Sequence, residues 1–275
     1  MSRIENNPPV TFGSRPVPAE LLAAGVKDIR DWDLGWDDAE VPAALLIAYD
    51  AEVFEVGAFA RHGVVMPASV GRSVRKRQAE FFMGRLAGGE AIAAFVRRGR
   101  EHASPMNRVL PQKRADRVEI GVGASREPVW PEGIVGSISH AGRYAAAVAA
   151  RATEVRGIGI DIECRMGAQT RESVENTVLN PAEKALLRGL AGEVPYEMLL
   201  TIAFSAKESF FKGCLATVGS YFDFDAVELT ALDISGGALE LVLTRALVAP
   251  LPQGRRFTLR HQLIDADTTI TSFVW

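Results

Sequence analysis

The segment Gly159-Ile160-Asp161-Ile162-Glu163 constrains this chain more than any other. β-Branched residues alternate with carboxylates, a pattern that suits a strand. Side chains at i and i+2 share a strand face, so Asp161 and Glu163 stand together while Ile160 and Ile162 point the other way. The flanking apolar residues predict burial, and two adjacent buried anions repel unless a cation sits between them. A hard divalent ion such as Mg²⁺ takes oxygen ligands of this kind and shares them with substrate phosphates. Further along, Phe204-Ser205-Ala206-Lys207-Glu208-Ser209-Phe210-Phe211-Lys212 reads as a helix buried by its phenylalanines. Glu208 and Lys212 are i, i+4 on one face of it. Glu208 offers a third carboxylate, and Lys207 and Lys212 bring positive charge for a phosphate. The bland alternative, a solvated strand edge and a surface ion pair, leaves like charges in an apolar setting unexplained. These residue types point to metal-assisted chemistry on a phosphorylated substrate.

Bulk properties narrow the setting. With 275 residues, 48% of them hydrophobic, the chain is long enough for a sizeable core. A net charge of -3 gives no basic field for nucleic acid. Cys164 and Cys214 are the only cysteines, too few for a disulfide scaffold or a thiolate zinc site, and a reducing cytoplasm is the simplest location. Met1 to Pro9 is polar, without the apolar run of a signal peptide, and the run Ala43 to Ala48 is too short to span a bilayer.

The periodicity predicts an α+β protein. Strands are expected at 43–49, near Val118 to Ile120, and at 135–138, 144–150 and 157–162; four more follow at 227–232, 239–244, 257–264 and 269–275. Helices are expected at 73–96, 182–190 and 196–215, the second opened by Asn180 as N-cap with Pro181 behind it. Residues 1–40 show little periodicity. The pattern divides into two loosely similar halves, residues 1–150 and 151–275, with a cleft between them as the expected ligand site.

Two further groups carry polar chemistry. Gly136-Ser137-Ile138-Ser139-His140 ends a strand in a Gly-containing turn, where His140 and Ser139 can meet a phosphate or simply bond the backbone. Neighbours in a strand face opposite ways, which argues against Ser139 and His140 as a nucleophile–base pair. Arg72, Arg75, Lys76, Arg77 and Arg85 lie before and within the first long helix, as a solvated face or as a phosphate clamp.

Taken in order, Gly136-Ser137-Ile138-Ser139-His140, Gly159-Ile160-Asp161-Ile162-Glu163 and Phe204-Ser205-Ala206-Lys207-Glu208-Ser209-x-x-Lys212 resemble the three signatures of phosphopantetheinyl transferases. Arg75-Lys76-Arg77-Gln78-Ala79-Glu80-x-x-x-Gly84-Arg85 and the loop Arg126-x-Pro128-x-Trp130-Pro131 resemble the enterobactin-synthase component D branch, which groups with the larger surfactin-type enzymes. The resemblance covers roughly residues 40 to 215. It implies a monomeric pseudo-dimer of two similar α+β halves. The implied activity is transfer of the 4′-phosphopantetheine arm of coenzyme A to a serine of an acyl, peptidyl or aryl carrier protein, with release of 3′,5′-ADP. It implies a Mg²⁺ ion, with Mn²⁺ as the alternative, held by Asp161, Glu163 and Glu208. It implies Glu208, Lys212 and His140 as catalytic residues, with Glu208 or a water it orients as the base. It implies that Arg77, Arg85, Arg126, Ser139, His140 and Lys212 hold coenzyme A. Siderophore or other secondary-metabolite synthesis is the implied setting, and a non-catalytic coenzyme A-binding relative is the alternative.

Overall fold

The computed structural model describes residues 11–37, 41–101, 119–124, 126–192 and 194–275. The expectations for Met1 to Pro9 and for Val118 lie outside the described residues. The described residues fall into two compact units, one drawn from 12–32 and 41–156 and the other from 11, 33–37 and 157–275.

The first unit contains β1 (Thr11–Arg15), α1 (Ala19–Leu22), β2 (Val26–Trp32), β3 (Ala44–Tyr49), the short α2 (Ala58–Arg61) and α3 (Ala68–Gly71), and the long α4 (Arg75–Glu101). A small hairpin of β4 (Gly121–Val122) and β5 (Pro128–Val129) follows, then β6 (Ile134–Ala141) and β7 (Tyr144–Arg151). Its sheet has the order β1-β2-β3-β7-β6. Helix α4 lies on this sheet, with Ala79, Phe82, Met83 and Leu86 packed against Leu45, Ile47, Ala145, Ala147 and Ala149. The alanines of β7 keep that face shallow, and Gly84 lets α4 come close: a Cβ there would stand 2.9 Å from Ile138 Cγ2 of β6. The weak periodicity before residue 40 hides β2, whose buried residues are Val26, Ile29 and Trp32. Its register against β3 shifts between Val26 and Asp28, and such a bulge breaks the two-residue alternation by which strands are read.

The second unit contains β8 (Ile158–Cys164), α5 (Ala168–Val178), α6 (Pro181–Leu190), α7 (Tyr196–Val218), β9 (Val227–Asp233), β10 (Ala238–Leu243), β11 (Arg256–Asp265) and β12 (Thr268–Val274). Its sheet, β8-β12-β11-β10-β9, is antiparallel throughout. Each unit thus lays one long helix on a five-stranded sheet, so the α+β class and the two similar halves hold. Phe210 of α7 anchors the second core, its ring 4.9 Å from that of Phe273 and 5.2 Å from that of Phe257. The 33–37 segment joins this unit through Trp36, whose Nε1 donates to Ser272 Oγ at 2.8 Å. Among the described residues no helix is long and apolar enough to cross a membrane.

Helix α7 meets β8 almost backbone to backbone. A Cβ on Gly159 would stand 1.9 Å from the Ser209 carbonyl oxygen, and one on Gly157 would stand 1.9 Å from that of Gly213. At the next step, Ser205 Oγ donates to the Asp161 carbonyl at 3.3 Å. Residues 157, 159 and 161 of the strand therefore meet 213, 209 and 205 of the helix. The spacing works because four helical residues rise about 6.0 Å and two strand residues about 6.6 Å. Ser209 and Ser205 also bond the Thr271 hydroxyl, at 2.6 and 2.9 Å, and Thr271 is the β12 partner of Asp161.

Gly159→Ala is expected to push α7 off the sheet and to cost about 2–3 kcal/mol, the upper range for overpacking a tight contact. Urea denaturation measures this, and a midpoint equal to that of the unaltered chain would refute the close-approach argument.

Candidate active site

The seam between α7 and β8 decides where the polar residues go. Asp161 follows Gly159 on the face of β8 that meets α7 and is buried. Lys212, one residue before the Gly213 contact, donates from Nζ to Asp161 Oδ1 at 2.6 Å. The same salt bridge is half-sheltered, since the Lys212 side chain keeps 27% of its surface and Asp161 only 5%. Glu163 stands next on the Asp161 face, and Glu208 lies one turn before Lys212. Burial pushes the Glu163 carboxyl up to about 7, helped by the charges of Asp161 and Glu208 and opposed by Lys212. Burial also raises Glu208, with Lys212 opposing and Asp161 adding to the rise. These four side chains form one electrostatic unit.

The donor set fits a hard divalent cation. Carboxylates gathered so that ionising Glu163 and Glu208 is opposed by burial and by neighbouring negative charge are what such an ion relieves. Among the described residues no three His, Cys, Asp or Glu side chains are grouped closely enough to hold a metal as they stand.

Beside Glu208 lies a cavity of about 100 Å³ lined also by Lys207, Phe211, Tyr221 and Phe222. Lys207, expected to offer charge to a phosphate, does not face the acidic cluster. Its Nζ lies 2.7 Å from Glu183 Oε1 in a fully buried ion pair. Residues 207 and 212 are five apart, about 140° around a helix, so their side chains diverge.

In the first unit, β6 and α4 bring His140 and Arg77 together. Arg77 Nη1 lies 2.8 Å from His140 Nε2. Arginine only donates, so Nε2 accepts and the imidazole proton sits on Nδ1, which faces Glu80 Oε2 at 3.9 Å. Glu80 also pairs with Arg77 at 3.3 Å. Glu80 stands in the Arg75–Arg85 motif with no role expected for it; its place one turn after Arg77 on the helix is the available signal. Arg85 joins electrostatically: burial, and then the Arg77 charge, hold its guanidinium down at about 10. Its Nη2 donates to the Gly121 carbonyl at 3.1 Å and its guanidinium lies 4.7 Å above the Phe81 ring, so the β4–β5 hairpin already engages it. Arg126 sits exposed in that hairpin's turn in a left-handed conformation, φ 69°. Ser139 is buried and points to the opposite side of β6 from His140. The cluster drawn together by these contacts is Arg77, Glu80, Arg85 and His140.

Comparison with known proteins matches both units in turn. Residues 67–150 match the 4′-phosphopantetheinyl transferase N-terminal domain, and residues 157–259 match the 4′-phosphopantetheinyl transferase superfamily. Enterobactin synthase component D of Salmonella typhimurium is 32% identical over 202 residues, 73% of this chain and 72% of that protein. The chain belongs to the 4′-phosphopantetheinyl transferase superfamily. Among other relatives of this superfamily, the 4′-phosphopantetheinyl transferase Svp of Streptomyces mobaraensis is 36% identical over 190 residues, 69% of this chain and 68% of that protein. The match to enterobactin synthase component D of Salmonella typhi, at 33% identity, spans 61% of each chain. The acidic cluster and the Arg77–His140 cluster both fall inside the matched superfamily regions.

The raised carboxyls give this superfamily member a definite pH response. A carboxyl with a folded pKa above its unfolded value keeps a proton in the native state that the unfolded chain releases, so stability falls as pH rises between the two. For Glu163 that window runs from the ordinary carboxyl value of 4.5 to about 7. Between about pH 5 and pH 8 in chelator, folding stability should drop by on the order of 2 kcal/mol, and Glu163→Gln should flatten the drop. Denaturant titrations at the two pH values measure it; an equal slope in the variant would refute the assignment.

Proposed function

We propose that this protein transfers the 4′-phosphopantetheine arm of coenzyme A to a serine hydroxyl of an acyl, peptidyl or aryl carrier protein, releasing 3′,5′-ADP. The observation that carries the reading is the coupled set Asp161, Glu163, Glu208 and Lys212 on the α7–β8 seam of a chain from this superfamily.

In the proposed reaction the serine oxygen attacks the phosphorus that bears the pantetheine arm. The bridging P–O bond of the pyrophosphate breaks, and the nucleotide leaves with the bond's electron pair. Glu208, or a water it orients, takes the serine proton; its raised pKa is the direction a base working near neutrality needs. Lys212 neutralises charge gathering on the pyrophosphate once it exchanges Asp161 for the substrate. Asp161, Glu163 and Glu208 would hold Mg²⁺, or Mn²⁺ as the alternative, which would supply positive charge for the pyrophosphate. Arg77 and Arg85 take the 3′-phosphate end of the nucleotide, with His140 on a phosphate oxygen and Arg126 and Ser139 as further contacts. We place the enzyme in the cytoplasm as a monomer, serving siderophore or another secondary-metabolite synthesis, a setting supported by relatives named enterobactin synthase component D.

The deciding experiment is intact-mass spectrometry of apo carrier proteins incubated with this protein, coenzyme A and Mg²⁺. A gain of about 340 Da, one phosphopantetheine arm, is expected. Glu208→Ala should lower the rate by about 10²-fold or more while the chain stays folded, the range for losing a positioned acid–base group. Coenzyme A bound without transfer to any carrier would instead favour a non-catalytic relative. Arg77→Ala should weaken coenzyme A binding by about tenfold, the value of one charge-assisted phosphate contact. Calorimetry measures that, and unchanged affinity would return Arg77 to an ordinary solvated helix face.

A further inference from the structure

The buried ion pair between Lys207 and Glu183 is not used by the chemistry above. Both side chains are 1% exposed and their charged atoms are 2.7 Å apart. Lys207 Nζ also donates to the carbonyls of Val178 at 2.8 Å and Phe224 at 3.3 Å, which uses all three ammonium donors. Glu183 Oε1 accepts from the Leu229 N–H and Oε2 from the Asn180 N–H, each at 2.7 Å. Asn180 returns a bond to the Glu183 N–H, closing the capping box of α6. One ion pair therefore fastens the end of α5, the start of α6, the turn at Phe224 and strand β9 to a single point of α7.

That point adjoins Glu208. Residues 205 and 209 bond Thr271 on one side of α7, and residue 207, about 200° around the helix from 205, is held on the other. The glycine contacts with β8 set how close α7 lies, and the two polar fastenings oppose its rotation. Lys207 and Glu208 line the same cavity. A fully buried ion pair contributes little stability over a well-packed apolar pair of the same volume, so stability alone does not account for it.

We infer that the Lys207–Glu183 pair is a positioning device that fixes the rotation of α7 and thereby the place of the Glu208 carboxylate. The inference rests on the transferase reading. Its test is the double variant Lys207→Met with Glu183→Gln in the full chain, which removes both buried charges and keeps an oxygen for the Leu229 N–H. The double variant is expected to fold and to bind coenzyme A within about twofold of the unaltered chain, while kcat falls about tenfold because the base is misplaced. Lys207→Leu with Glu183→Gln, equally free of buried charge, is the second variant and should show the same split. A folded variant with unchanged kcat, or one losing coenzyme A affinity as much as kcat, would overturn the inference. Failure of both variants to fold would assign the pair to stability and overturn it as well. The unaltered chain, assayed alongside, separates the two readings: if it modifies no carrier, the transferase reading fails and the positioning role falls with it.

Discussion

The close approach of α7 to β8 is the contact on which the candidate active site depends. Where a helix normally stands off a sheet by the thickness of two side-chain layers, here glycines at 157, 159 and 213 remove those layers. The four-residue rise of the helix and the two-residue rise of the strand nearly coincide, so the contact repeats over three steps without strain. Small residues occupy the first two rungs, Gly157 with Gly213 and Gly159 with Ser209, and Asp161 takes the third beside Ser205. Asp161 and Lys212 can then meet at 2.6 Å although they lie on different elements. The small residues of the motifs are as necessary as the charged ones, because they bring the charged ones together.

The first unit reaches a related solution by softer means. Alanines of β7 and glycines of α4 lower the sheet and helix surfaces, and α4 settles near the end of β6. This delivers Arg77 to His140 and lets Glu80 neutralise the pair. Each unit thus uses helix-on-sheet packing to place a cation from the helix against a polar group of the strand. The signs differ: the second unit gathers carboxylates around one lysine, and the first gathers arginines around one carboxylate and one imidazole.

The two lysines of α7 show how helical geometry sorts like residues into unlike roles. Lys212 keeps a quarter of its surface and sits at the edge of the acidic cluster, where a ligand can draw it away. Lys207 is sealed inside with every donor satisfied. Burial holds the Lys207 ammonium below its ordinary range, and the Glu183 charge opposes that pull. Exchanging it with a ligand would leave Glu183 buried and unpaired, which the interior does not tolerate.

Period and composition alone determined much of this protein. The strands of the second sheet, the two long helices, the N-cap at Asn180 and the shared face of Asp161 and Glu163 follow from local rules, and the structure repeats them. Local rules failed where tertiary contacts overrode them. A bulge concealed β2, and α5, polar along most of its length, carried no apolar stripe to read. Lys207 looked equivalent to Lys212 because a sequence shows spacing but not which face of a helix is covered. The pairing of Arg77 with His140, the engagement of Arg85 by the Gly121 carbonyl and the rise of the Glu163 carboxyl all join residues far apart in the chain. Short-range sterics and periodicity are written residue by residue; burial and long-range electrostatics exist only once the chain has closed on itself.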